Sequence, residues 1–102
     1  MEAEERICKM EEIYQKAAAM LAELEAALDG YESLREELRE LDAYYSSPQW
    51  LEDLDRDRAG KLPADLKRGV LSEDGIYLLL ERERELLAQM RDLSAAKSSS
   101  KP

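Results

Sequence analysis

Apolar side chains recur through the first forty-five residues in steps of three and four. They run Ile7, Met10, Tyr14, Ala17, Leu21, Leu24, Leu28, Tyr31, and then Leu34, Leu38, Leu41, Tyr45. Alternating steps of this kind place every apolar position on one side of a helix, as in the seam of a coiled coil. The step from Tyr31 to Leu34 is three where four is due, and two successive steps of three overwind such a seam locally. Asp29-Gly30 lies at that junction, and Gly costs about 1 kcal/mol relative to Ala inside a helix. The pattern predicts one long helix from about Glu2 to Tyr45, kinked near Gly30, with two helices broken there as the alternative. At about 1.5 Å per residue the unbroken helix would span roughly 65 Å, too long for one compact globule.

The pattern changes at Ser46-Ser47-Pro48, where Pro cannot continue a helix. Ser47 is placed to cap a short helix from Pro48 to about Asp57, with Pro at its first position. Trp50, Leu51 and Leu54 form its apolar face. Gly60, Pro63 and Gly69 then mark an irregular connector, and Leu62, Leu66, Val70 and Leu71 punctuate it closely enough to predict that it packs down and is ordered. A last helix is predicted from Ser72, a good N-cap followed by Glu73 and Asp74 at the positive end of the helix dipole. It runs to about Leu93 through Ile76, Leu79, Leu80, Leu87, Met90 and Leu93, and its middle, Glu81 to Glu85, alternates in charge and reads as solvent-exposed. The polar segment 94–102 reads as a disordered tail. The expected fold is all-α. A long N-terminal helix packs antiparallel against a C-terminal helix, with a short helix and an ordered Gly/Pro connector between, as a helical hairpin or three-helix bundle. Residues 1–93 form a single domain.

Composition supports this architecture and narrows the chemistry. Of the 102 residues seventeen are Leu, whereas Ile and Val together number four and Thr is absent, so an appreciable β-sheet is disfavoured. There is no His, which removes the commonest general base and metal ligand. The single Cys, Cys8, cannot form an internal disulfide and reads as a small filler of the core or seam. Nothing in the opening MEAEER resembles a signal peptide, and no apolar run, Ile76 to Leu80 included, approaches the length needed to span a membrane. A cytoplasmic location is expected. The formal net charge is −9, of which −8 falls on residues 1–45, while residues 58–68 carry +3. Binding to nucleic acid or an anionic membrane is therefore disfavoured. The carboxylate row Glu32, Glu36, Glu40 is either solvated or faces a cation, and the connector bases are the nearest in sequence.

Several residues invite a chemical reading. Asp53, Asp55 and Asp57 before Gly60 suggest a calcium loop, but neither register supplies both the Gly at position six and the Glu at position twelve that such a loop needs. A solvated, partly ion-paired helix end is the expectation, and no metal is assigned. Lys67-Arg68-Gly69 ahead of a helix start suggests an anion site, but Glu73 and Asp74 already occupy that helix end. Pairing of Lys67 and Arg68 with acids of the first helix is expected instead. Tyr44, Tyr45 and Trp50 cluster at the first turn, either as a hydrophobic plug or as an exposed patch that anchors a partner. Together with Lys61, Lys67, Arg68 and Tyr77 they are the candidate interaction residues. No nucleophile and base are paired and no two carboxylates stand out for acid–base work, so no catalytic or cofactor-binding residue is assigned.

The string Gly60-Lys61-Leu62-Pro63-x-Asp65-Leu66-Lys67-Arg68-Gly69-Val70-Leu71-Ser72-Glu73-Asp74-x-x-Tyr77-x-Leu79-Leu80 resembles a small bacterial family, the domain of unknown function four-two-nine-eight. Glu5-Arg6-Ile7, Met10-Glu11 and Tyr44-Tyr45-x-Ser47-x-x-Trp50 resemble it too, so that the likeness covers about residues 4–93. The resemblance implies a free-standing intracellular helical protein of about this size, and it implies no activity, cofactor or catalytic residue. It also implies a polar residue, typically Asn, where this chain has Leu78, and Asp, Asn or His around Arg82 to Arg84.

The function expected from these readings is non-enzymatic. A helix with a continuous seam and one shorter return helix leaves apolar surface that asks for a protein partner, an unknown protein or a second copy in a homodimer or higher homo-oligomer. The alternative is an acidic inhibitor or nucleic-acid mimic that presents its Glu rows to a basic target protein.

Overall fold

The computed structural model describes residues 2–100, with side chains described through residue 96. The fold is all-α. Among the described residues there is no strand, and the order is α1 (Ala3–Tyr45), α2 (Pro48–Arg58), a 3₁₀ turn (Gly69–Leu71) and α3 (Gly75–Ser100). No helix among these residues is long and apolar enough to cross a membrane. Contacts divide the chain into two units, Met1–Leu38 and Arg39–Pro102.

The first unit is the greater part of α1. The helix passes through Gly30 without a break, so the two-helix alternative is not realised. Good helix formers stand a few residues to either side of Gly30, Ala26 to Leu28 before it and Leu34 to Leu38 after it, and nothing lies within 4 Å of where its side chain would begin. Gly30→Ala is therefore expected to raise helix stability by about 1 kcal/mol, read as a higher thermal midpoint of the far-UV circular dichroism. A lower midpoint would show that Gly30 has a role the open space around it does not reveal. No residue of α1 is buried. Along its seam Ile7, Met10, Tyr14, Leu21 and Leu24 are 47% to 66% exposed. Ile13 and Met20, also exposed, widen the stripe on one flank, while Glu11, Glu25 and Glu32 border the other flank at heptad spacing. Cys8 is exposed as a free thiol. The expectation of a seam filler is corrected, because Cys8 stands one position beyond Ile7 and turns off the apolar stripe.

The second unit holds the core. Trp50 and Leu54 of α2, Leu71 of the 3₁₀ turn and Ile76 of α3 are its buried members, and Leu41, Tyr44, Tyr45, Leu62 and Leu80 pack around them half-buried. Helix α2 starts as expected, with Ser47 as N-cap and Pro48 at the first position. The Ser47 hydroxyl, however, donates back to the Tyr44 carbonyl at 2.6 Å and so secures the turn between helices. Two of the three residues assigned to the α2 apolar face are buried, whereas Leu51 remains exposed. The helix ends in a Schellman motif, with the Gly60 N–H donating to the Asp57 carbonyl and the Lys61 N–H to the Arg56 carbonyl, both at 3.0 Å. Gly60 takes the left-handed conformation this requires, at φ 71°.

The connector is ordered, as its apolar punctuation predicts. Ser72 does not cap α3. Its hydroxyl donates to the Gly69 carbonyl at 3.0 Å, closing the 3₁₀ turn, and the first helical hydrogen bond instead runs from Leu78 N–H to the Asp74 carbonyl at 2.8 Å. Gly75 follows because any side chain there would collide with the Ser72 hydroxyl and reach within 2.8 Å of the Gly69 carbonyl. Helix α3 continues past Leu93 to Ser100, so the start of the expected disordered tail is helical. Ser94, Ala95 and Ala96 contain no Gly or Pro to stop it. The last two residues of that tail lie outside the described residues.

Candidate interaction site

The end of α1, α2 and the connector bring several of the sequence-assigned residues to one place. Trp50 is the pivot. Its Nε1–H donates to the Val70 carbonyl at 2.8 Å, which joins α2 to the connector across twenty residues. The Tyr45 ring meets it edge-on, with centroids 5.0 Å apart, and the Tyr45 hydroxyl donates to the Glu73 carbonyl at 3.3 Å. The plug reading of Tyr45 and Trp50 is the one this geometry supports, since a Trp this deeply buried leaves little surface for a partner to grip.

Tyr44 faces the other side of the same junction. Its hydroxyl donates to Asp53 Oδ2 at 2.7 Å. Loss of surrounding water, then the hydrogen bond to Asp53, then the negative charge of that carboxylate push the phenol from its ordinary 10.0 up to about 12. The folded chain thus holds this proton through a pH range in which the unfolded chain has released it. The stabilisation is complete below about pH 10 and is lost as pH rises towards 12. Urea midpoints of the native chain should fall over that interval by more than those of Tyr44→Phe, which at neutral pH is itself expected to be weaker by about 1 kcal/mol. Parallel curves for the two chains would mean that the Asp53 contact does not hold the proton.

Arg68 pairs with Asp57 of α2 at 2.5 Å and also donates to the Ala64 carbonyl at 3.3 Å. The expectation that it pairs with an acid of the first helix is corrected. The Schellman end of α2 turns the connector back so that Arg68 reaches Asp57. Arg58 pairs with Glu73 at 2.6 Å in an exposed position. Among the described residues no carboxylate lies within ion-pair distance of Arg56, Lys61 or Lys67. Lys61 and Tyr77 are both exposed, Tyr77 at 50%, and neither joins the junction core.

Between these groups lies a hollow of about 210 Å³. Leu62, Leu66, Val70 and Leu71 line its apolar part, and Tyr44, Asp53, Arg56, Lys67 and Arg68 its polar part. Sequence reasoning assigned Tyr44, Lys67 and Arg68 but missed Arg56 and Asp53, which no local spacing links to the connector. A second hollow, about 410 Å³, lies against α3 beside Leu78, Leu79, Glu81, Arg82 and Glu85. The polar side chains at that place are the same Glu and Arg that alternate along the helix, where the resemblance implies Asn, Asp or His. Asp53 and Asp57, two of the three Asp in the calcium-like spacing, are engaged by Tyr44 and Arg68, as the helix-end reading expects. Among the described residues no group of three or more acidic or Cys side chains is placed to hold a metal ion.

One family model, that of a domain of unknown function (DUF4298), matches residues 7–93. No curated protein and no solved structure matches the chain.

Proposed function

The chain belongs to the DUF4298 family, whose function is unknown, and we propose that this member is a non-enzymatic helical protein that works by protein–protein contact along α1, with a second copy of itself as the first partner. The observation that carries the reading is the exposed seam. Large apolar side chains recur at heptad spacing from Ile7 to Leu34, and Ile7, Met10, Tyr14, Leu21, Leu24, Leu28 and Leu34 each leave more than a third of their surface to water, while Tyr31 is half-buried. Scattered exposed Leu residues need no explanation, but a contiguous apolar stripe marks an interface. The junction core supports the same reading from the other side, because Trp50, Tyr45 and Asp57 are used in holding helices together and not in chemistry. A cytoplasmic, bacterial setting belongs to the proposal, with the exposed free thiol of Cys8 suited to a reducing compartment.

Light scattering at micromolar concentration tests it. The native chain should show a mass above its 11.7 kDa, and the double variant Leu21→Asp, Leu24→Asp should return to one chain while keeping its Trp50 fluorescence and helix content. Two Asp in a closed apolar seam should weaken association at least about 100-fold. Equal masses for the two chains, together with the same proteins co-purifying from the native host, would overturn the reading. A native chain that is monomeric but loses one basic co-purifying protein in the Asp variant would favour the acidic-inhibitor alternative, which rests on the −8 carried by residues 1–45.

A further inference from the structure

The α1 stripe and the connector hollow are complementary to one another, and from that complementarity we infer which surface of the second copy the stripe meets. The inference rests on the self-association reading above and adds the contact itself. On α1, Leu28 stands with Glu25 three residues before it and Glu32 four after it, so that all three share one face. Leu21 lies one heptad earlier on the same row. Leu21 is 62% and Leu28 38% exposed. Among the described residues neither Glu25 nor Glu32 has a cation within ion-pair distance. This face is an apolar row with an acidic border.

The hollow of the second unit is the reverse, an apolar floor with a cationic rim. Leu62, Leu66 and Val70 supply the floor, and Arg56 and Lys67, neither with a carboxylate partner among the described residues, supply the rim, while Asp53 also lines the hollow with its carboxylate held by the Tyr44 hydroxyl. Arg68 belongs to the rim too but is already neutralised by Asp57. The occupant is the acidic α1 of another copy, which places Leu28 over the floor and Glu25 and Glu32 against Arg56 and Lys67. Pairing of one α1 stripe with another is the poorer match. An antiparallel pair of stripes sets Glu11 against Glu25 along the closed border, and a parallel pair sets Met20 against Glu25. A contact in which each copy gives its stripe and receives its partner's closes as a two-fold dimer and leaves no open end.

Charge reversal in two halves tests this. One variant is Arg56→Glu with Lys67→Glu, and the other is Glu25→Lys with Glu32→Lys. Each carries like charges on both of its surfaces and should sediment as a monomer. Mixed in equal amounts they should form a 1:1 dimer, because each surface of one then meets its opposite on the other. The native dimer should weaken at least about tenfold between ~0.1 M and ~1 M salt, where screening shortens from about 10 Å to 3 Å. Helix content and Trp50 fluorescence establish that each variant is folded. Single variants that remain dimeric would overturn the contact, as would a mixture of folded variants that stays monomeric or a native chain that is monomeric throughout. A native dimer insensitive to both reversals yet lost in Leu21→Asp, Leu24→Asp would overturn this contact while leaving the stripe reading intact.

Discussion

Replacing Trp50 with Ala is expected to weaken the second unit by about 3–5 kcal/mol, as burial of a large aromatic ring is lost and a cavity remains. Among the described residues the unit has four buried side chains, and Trp50 is the largest of them. Its removal takes away the edge contact with Tyr45 and leaves the Val70 carbonyl without its indole donor. Small domains have total stabilities of only about 5–15 kcal/mol, so Trp50→Ala should leave much of this unit unfolded at 37 °C. Trp50→Phe separates ring from donor. It keeps most of the apolar surface and should cost about 1–2 kcal/mol, mainly for the unpaired carbonyl. Urea titration followed by far-UV circular dichroism measures both. An Ala variant within about 1 kcal/mol of the native chain would place the core elsewhere.

The second large effect is expected at Ile76, the deepest side chain of the core at 2% exposed. It stands one residue into α3, directly after the tight passage through Gly75. It therefore ties α3 to α2 and the 3₁₀ turn with no helix turn in reserve before it. Ile76→Ala should cost about 2–4 kcal/mol in the same titration. Leu21→Ala removes a side chain of similar size from α1, but Leu21 is 62% exposed, and in dilute solution the change should fall within about 0.5 kcal/mol. The contrast is the informative quantity. Comparable losses at the two positions would mean that the chain on its own covers the α1 stripe.

The helices were legible because periodicity and punctuation act locally. Heptad spacing placed α1, Ser47-Pro48 placed the start of α2, and the Leu and Val residues of the connector foretold that it would be ordered. The break that Gly30 offered as the alternative is not taken, because its cost, about 1 kcal/mol, is small against the helix formers further along on both sides. Ser72 misled as a cap because its hydroxyl can satisfy the Gly69 carbonyl three residues back, and in this turn it does so. The pairings that build the junction were not legible. Asp57 meets Arg68, and Trp50 meets the Val70 carbonyl, only after the Schellman turn at Gly60 has reversed the chain, while Asp53 meets Tyr44 across the Ser46-Ser47 turn between α1 and α2. Asp53 and Asp57 looked like the start of a metal loop because spacing alone does not reveal that a phenol and a guanidinium will occupy them. Periodicity likewise revealed that α1 carries a seam. What covers a seam is a property of the whole assembly, which the spacing of one helix does not contain.

Amide hydrogen exchange across a range of protein concentrations puts the most direct question to that seam. The account predicts that protection of residues 7–34 rises with concentration and disappears in Leu21→Asp, Leu24→Asp. Protection around Trp50, Leu54 and Ile76 should stay constant throughout, since that core is complete within one chain. Protection of residues 7–34 that is independent of concentration, and equal in the native and Asp-substituted chains, would contradict it.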